Sequence, residues 1–147
     1  MLNKEYYKQF FYKTITPKII TELNSYGHYD RALYIECGDG FIIEFIFANE
    51  IHGMDDSTIQ SIPAIKRIDA PDRVYDLIVL SEKEYTTYNT EQIYEWILKS
   101  SARIIAIIGT KEYMNKYEFG RKLNTIQLTD EFELKIYEFN ESLRIYE

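Results

Sequence analysis

Cysteine occurs once, as Cys37, so the chain has neither a disulfide framework nor a zinc site built from cysteines. Histidine occurs only as His28 and His52, too far apart for a metal-type spacing, and no metal is expected. No apolar run approaches the ~20 residues that span a bilayer. The opening residues MLNKEYYKQFFYK lack the charged, apolar and cleavage regions of a secretory leader. A reducing, cytoplasmic setting without a membrane partner is the expectation. No stretch is strongly basic and the net charge is −7, so wholesale binding to duplex DNA is not expected. A structured RNA or a small acceptor stays open, as does a second copy of the chain (a homodimer). No low-complexity linker, phosphate-loop lysine, zinc-protease motif or Gly-x-Ser-x-Gly elbow is present.

What is there suits one domain. A chain of 147 residues can bury roughly 68–70% of its unfolded surface. Residues 1–147 are expected to form a single unit whose residues 1–28 are an N-terminal helical segment. An aromatic-rich helix is predicted over 3–13. A second is expected to begin with Thr16 as cap and Pro17 at its first position, and to end before Gly27. Tyrosine is over-used, at 14 residues, which suits rings that pack while their hydroxyls find partners.

Further on, strands are expected at 32–36, 51–54, 65–68, 75–80 and 103–108. The last two are continuous apolar runs, as in parallel strands covered on both faces. Residues 41–48 read as a short buried helix, and Ser57 as the cap of a very short one before Pro63. Asn89 and Gln92 form a capping box for a helix to Lys99, and Thr110 caps another that Gly120 ends. Residues 132–136 alternate apolar with charged. After Asn140-Glu141 the chain returns over 143–146, which reads as an antiparallel hairpin. The expected fold is α/β, a doubly wound, mostly parallel sheet with helices on both faces and a C-terminal antiparallel hairpin.

The segment Glu36-Cys37-Gly38-Asp39-Gly40 follows the first strand. Glycines there permit a sharp turn and let a ligand approach the main chain. The free N–H groups of a following helix would favour a carboxylate or phosphate. In open α/β sheets ligands sit at this carboxyl edge, where the strand order reverses. Asp55 lies 19 residues after Glu36, where an acid can accept ribose hydroxyls. Asp69, followed by Ala70, ends the third strand, where a carboxylate can accept from an adenine amino group. Ser81 and Glu82 close the fourth strand at the same edge. Cys37 reads as a small buried residue, because no His or Lys stands beside it.

These segments, together with Tyr34-Ile35 before the turn, Gly53-Met54-Asp55-Asp56-Ser57, Ile68-Asp69-Ala70 and Tyr75 to Glu82, resemble the class I S-adenosylmethionine-dependent methyltransferases, in a minimal and degenerate form. The resemblance implies S-adenosylmethionine as cofactor. Its methionine part would lie on Glu36, Gly38, Asp39 and Gly40, its ribose on Asp55, and its adenine on Asp69 and Ala70. Ser81 and the residues after it would line the reaction site. The family's sheet also ends in an antiparallel hairpin. Ile42 stands where the family often has a third glycine, and the span from Asp55 to Asp69 is short. No Asn-Pro-Pro-Tyr-like signature follows the fourth strand, and no acceptor-binding insertion is evident. Glu82 is the candidate base, with Tyr85 or Tyr88 as orienting groups. The expected function is methyl transfer to an acceptor the sequence does not identify. The alternatives are a catalytically inactive binding or regulatory protein of the same fold, and an aminopropyltransferase, whose glycine turn is similar to Gly38-Asp39-Gly40.

Overall fold

The structure is a computed structural model that describes residues 4–55, 60–71, 74–83, 88–100 and 102–139, with side chains described from Lys13 onward. Within them lie helices α1 (Lys4–Asn24), α2 (Thr90–Ser100) and α3 (Lys111–Met114). The strands are β1 (Tyr29–Ile35), β2 (Ala48–Met54), β3 (Ile65–Arg67), β4 (Leu77–Ser81), β5 (Ile104–Gly109), β6 (Arg121–Gln127) and β7 (Glu133–Glu138). They form one sheet in the order β3-β2-β1-β4-β5-β7-β6. The first five strands in that order run parallel, and β7 is antiparallel to both β5 and β6. The order reverses between β1 and β4, which places the switch point at the Glu36–Gly40 turn.

Each face of the sheet carries its own core. On one, Ile15, Ile19 and Leu23 of α1 pack with Ala32, Tyr34, Leu77 and Val79. On the other, Ile93 and Ile97 of α2 and Met114 of α3 pack with Leu33, Ile35, Ile78 and Leu80. Successive residues of β1 and β4 thus feed opposite cores, as the period of two requires. Both faces being covered explains why β4 and β5 read as unbroken apolar runs.

Four elements differ from the sequence expectation. The two N-terminal helices are one, α1, with Pro17 inside it. The stripe Ile15–Ile19–Leu23, spaced by four and fully buried, runs straight through the expected cap. Its packing outweighs the backbone hydrogen bond that Pro17 cannot donate. Thr16 does not cap, and its Oγ1 is buried with no hydrogen bond among the described residues.

The helix expected over 41–48 is a single 3-10 turn, Phe41–Ile43, and β2 begins at Ala48. The Asn24 side chain decides this. Its amide donates to the Phe45 carbonyl (3.2 Å) and accepts from the Phe47 N–H (2.8 Å), holding the chain open where a helix would need those groups. The helix expected from Thr110 to Gly120 is only α3. Thr110 does cap it, accepting from Tyr113 N, but the chain then extends so that Tyr117 and Phe119 both reach the core.

The hairpin is formed by β6 and β7, with Leu128 to Phe132 as its connection. The expected return strand at 143–146, like the short helix expected at Ser57, lies outside the described residues. β6 sits at the sheet edge and is mostly exposed. A shift in register between Lys122 and Asn124 breaks its alternation. His52 is buried in β2. Its Nδ1 meets Tyr75 Oη (2.8 Å) and its Nε2 meets Glu50 (2.9 Å).

Buried tyrosines have a consequence at high pH. Tyr29 is fully buried and donates to the Leu23 carbonyl (2.6 Å). Burial pushes its phenol up to about 12 from 10, against a downward pull from Arg103. A raised acid keeps its proton better folded than unfolded. Its contribution to stability is therefore complete below pH 10 and is lost as pH rises through about 12. Urea-unfolding midpoints should fall across that window, and more steeply in the wild type than in Tyr29→Phe.

Candidate functional site

The turn after β1 is tied down from below. The N–H groups of Glu36 and Cys37 both donate to the Met54 carbonyl at the end of β2 (2.8 and 3.1 Å). This holds Glu36 at φ 66, a left-handed conformation uncommon for a side-chain-bearing residue, with its carboxyl buried. Gly38 (φ 53) and Gly40 (φ 79) complete the reversal.

The two glycines differ in what surrounds them. A Cβ at Gly38 would meet nothing within 4 Å, so its main chain is open on that side. A Cβ at Gly40 would lie 2.0 Å from Ile65 Cδ1. Glycine at position 40 suits the left-handed turn, and a Cβ there would oblige the Ile65 side chain to move. Gly53 is similarly enclosed, by Ile65 Cγ2 at 2.6 Å and Cys37 Sγ at 2.8 Å.

Asp55 directly follows β2, beside the turn. Its Oδ2 accepts the Gly38 N–H (2.7 Å), and its Oδ1 lies 2.6 Å from Lys83 Nζ. The Asp55 side chain has no exposed surface, whereas that of Lys83 keeps 24%. The Arg67 guanidinium donates to the Asp55 carbonyl and to Ser61 Oγ (3.2 Å), and Ser61 donates to the Gly38 carbonyl (2.7 Å). Asp39 accepts from Phe41 N (3.1 Å). Asp69 and Ala70 are exposed just past β3. Cys37 is buried, and burial pushes its thiol up, against a smaller opposing pull from Ser61, as suits a small buried residue.

On the β4 side, Ser81 is the last strand residue, and Glu82 N donates to the Ile108 carbonyl (2.8 Å). The Thr110 hydroxyl donates to Glu82 Oε1 (2.7 Å) and accepts from Tyr113 N. Gly109 makes this possible. A Cβ there would stand 2.6 Å from the Tyr113 ring and 3.0 Å from Glu82 Cβ. Burial pushes the Tyr113 phenol far above its usual value, with Tyr117, Glu36 and Glu82 adding to the rise.

The structure thus gathers Glu36, Gly38, Asp39, Gly40, Asp55, Asp69, Ala70, Ser81 and Glu82 along one edge of the sheet. One expectation changes. The helix whose N-terminus was to face the site is one 3-10 turn, which removes its dipole from the argument. Tyr88 packs edge-on against Trp96, centroids 4.9 Å apart. Tyr85 lies outside the described residues. Sequence reasoning missed Lys83, Arg67, Ser61 and Thr110. Lys83 stands directly after Glu82, and a cation beside edge carboxylates is the signal that could have found it.

No family model matches the sequence, and no curated protein matches it. Solved structures do match. The N-methyltransferase NodS from Bradyrhizobium japonicum WM9 is similar at a TM-score of 0.70 and 13% identity, over 88% of this chain and 96% of that one. A putative methyltransferase from Pseudomonas syringae gives 0.63 and 12%, over 90% and 99%. A SAM-dependent methyltransferase from Aquifex aeolicus gives 0.60 and 12%, over 95% and 100%. At such identities the likeness is one of fold, and it agrees with the strand order. The chain has the class I methyltransferase fold. No helix among the described residues is long and apolar enough to cross a membrane.

Proposed function

We propose that this carboxyl edge binds S-adenosylmethionine and that the protein transfers its methyl group to a small or macromolecular acceptor. The observation that carries the reading is the open main chain of Gly38 at the switch point, flanked by Asp55 and Asp69 on one side and by Ser81 and Glu82 on the other. Gly38 fits a ligand lying against the backbone, and Asp69 offers an exposed carboxylate one strand further out. Asp55 fits once Lys83 gives way.

When bound, the cofactor supplies a methyl on a sulfonium that is already activated. The protein's part is position. Glu82, oriented by Thr110, takes a proton from an acceptor that must lose one. Gly38 lets the ligand approach without a Cβ in its path. Asp55 and Asp69 hold its sugar and base.

A second reading is a non-catalytic protein of the same fold, favoured by the Asp55–Lys83 ion pair and by Ile65 filling the space at Gly40. Thermal-shift titration with S-adenosylmethionine and S-adenosylhomocysteine separates the two. A ligand at ten times its dissociation constant stabilises the native state by ~1.4 kcal/mol, roughly 3–6 °C for a chain of this size. A melting temperature that stays flat at millimolar ligand would remove the first reading and leave the second.

A further inference from the structure

We propose that Lys83 is a latch on this site: it holds the Asp55 carboxylate in an ion pair that a ligand's ribose must displace, and so sets the threshold for adenosine binding. The proposal rests on the reading of Asp55 as the sugar-holding acid.

The two partners of the pair are unequal. The Asp55 side chain is fully enclosed and is fixed from behind by the Gly38 N–H at 2.7 Å. The Lys83 side chain keeps about a quarter of its surface in water and reaches Oδ1 at 2.6 Å on a flexible stem. The main chain at its root is held, because Glu82 N is bonded to the Ile108 carbonyl. Opening the pair therefore swings an ammonium into solvent and leaves the carboxylate where it is. A released ammonium is strongly hydrated, whereas a buried carboxylate separated from its cation is costly even with the Gly38 N–H still bound to it. The oxygen that Lys83 leaves, Oδ1, gains from a new donor, and ribose hydroxyls supply it.

Two consequences follow from a competition of this kind. The apparent affinity for adenosine is lowered by the fraction of molecules whose latch is open. Removing the ammonium must therefore strengthen ligand binding while weakening the empty protein, because the contact that Lys83 makes with Oδ1 is then lost until ribose hydroxyls replace it. A lysine with a purely structural role would lower both. A lysine that touched the ligand directly would weaken binding.

The test uses adenosine, which is uncharged, and measures its dissociation constant by calorimetry alongside the melting temperature of the free protein. Lys83→Met should bind adenosine about tenfold more tightly than wild type, ~1.4 kcal/mol, and melt lower when empty. Lys83→Arg, which restores the cation, should return both quantities to near the wild-type values. If Lys83→Met does not fold, Lys83→Gln keeps a donor without the charge and should bind roughly threefold tighter by the same argument. Binding that is unchanged or weaker in these variants, while the wild type binds, overturns the latch and leaves the site assignment standing. No saturable binding of adenosine or S-adenosylhomocysteine by any form overturns the site assignment, and the latch with it.

Discussion

Asp55→Ala should weaken adenosine and S-adenosylhomocysteine binding at least about tenfold, and should also lower the stability of the empty protein by roughly 2–3 kcal/mol. The first effect follows from the role proposed for the carboxylate. The second follows from its surroundings. The Asp55 side chain is fully buried, accepts the Gly38 N–H at 2.7 Å and faces Lys83 at 2.6 Å. A hydrogen bond to a charged acceptor contributes ~1.5–3 kcal/mol, and the Gly38 N–H would lose that acceptor. Lys83 adds less, because its side chain is already partly in water and can find solvent when the acid is gone. Viewed as a bare loop-end acid, Asp55 would be replaceable without penalty. The structure makes it a strut between the glycine turn and the segment after β4. Asp55→Asn separates the two roles: its side-chain oxygen still accepts from Gly38, so stability should recover by more than half while ligand affinity stays low. Equal melting of the wild type and Asp55→Ala would refute the strut. Equal affinity would refute the ribose assignment.

The parallel half of the sheet was legible because burial on both faces leaves a simple mark. Leu77 to Leu80 and Ile104 to Ile108 are apolar without a break, and each residue enters one of the two cores. Beyond β5, the alternation that marks β7 was legible, and β6 was not. β6 is an edge strand whose Leu123 and Ile126 are only half-buried and whose register slips by a residue, so no alternation survives to be read. Residues 41–47 show a different limit. Ile42, Ile43 and Ile46 are buried at a spacing that also fits one face of a helix. The conformation is fixed by Asn24, which lies on α1 and grips the backbone at Phe45 and Phe47. A contact with a residue so distant in sequence cannot be found in a local period.

The candidate site was legible by type and not by pairing. Glycines after the first strand and acids after the second, third and fourth announce a carboxyl-edge site once the strands are parallel. That Asp55 meets the Gly38 N–H follows from β1 and β2 being neighbours. That Lys83 reaches the same carboxylate depends on β4 lying on the other side of β1, which only the strand order supplies. The role of Gly40 was legible only in part, since its φ suits a turn but its contact with Ile65 arises from β3.

Phe119→Ala is expected to cost about 3–5 kcal/mol of stability, the usual range for deleting a fully buried phenyl ring. Phe119 is 2% exposed, and its ring lies 5.0 Å from Tyr94, 5.7 Å from Tyr117 and 6.0 Å from Tyr137, centroid to centroid. Tyr94 belongs to α2 and Tyr137 to β7, while Tyr117 follows α3, so one ring joins three elements that the sequence places far apart. The Tyr117 ring in turn packs on Tyr113 at 5.6 Å. Tyr113 lies against Gly109, beside the Thr110 hydroxyl that orients Glu82. The cavity would therefore open under the shelf that carries the candidate base. Few small adjustments can close it, because the surrounding rings are rigid and the Tyr94 hydroxyl is already engaged, donating to the Lys116 carbonyl and accepting from Glu118 N. Phe119→Leu keeps most of the volume and should cost less than half as much. Phe45→Ala, at a ring that is 68% exposed, should change stability by no more than ~0.5 kcal/mol. Urea-unfolding curves of the three variants decide the matter, and a Phe119→Ala midpoint close to that of Phe45→Ala would show that the aromatic cluster does not hold this half of the sheet together.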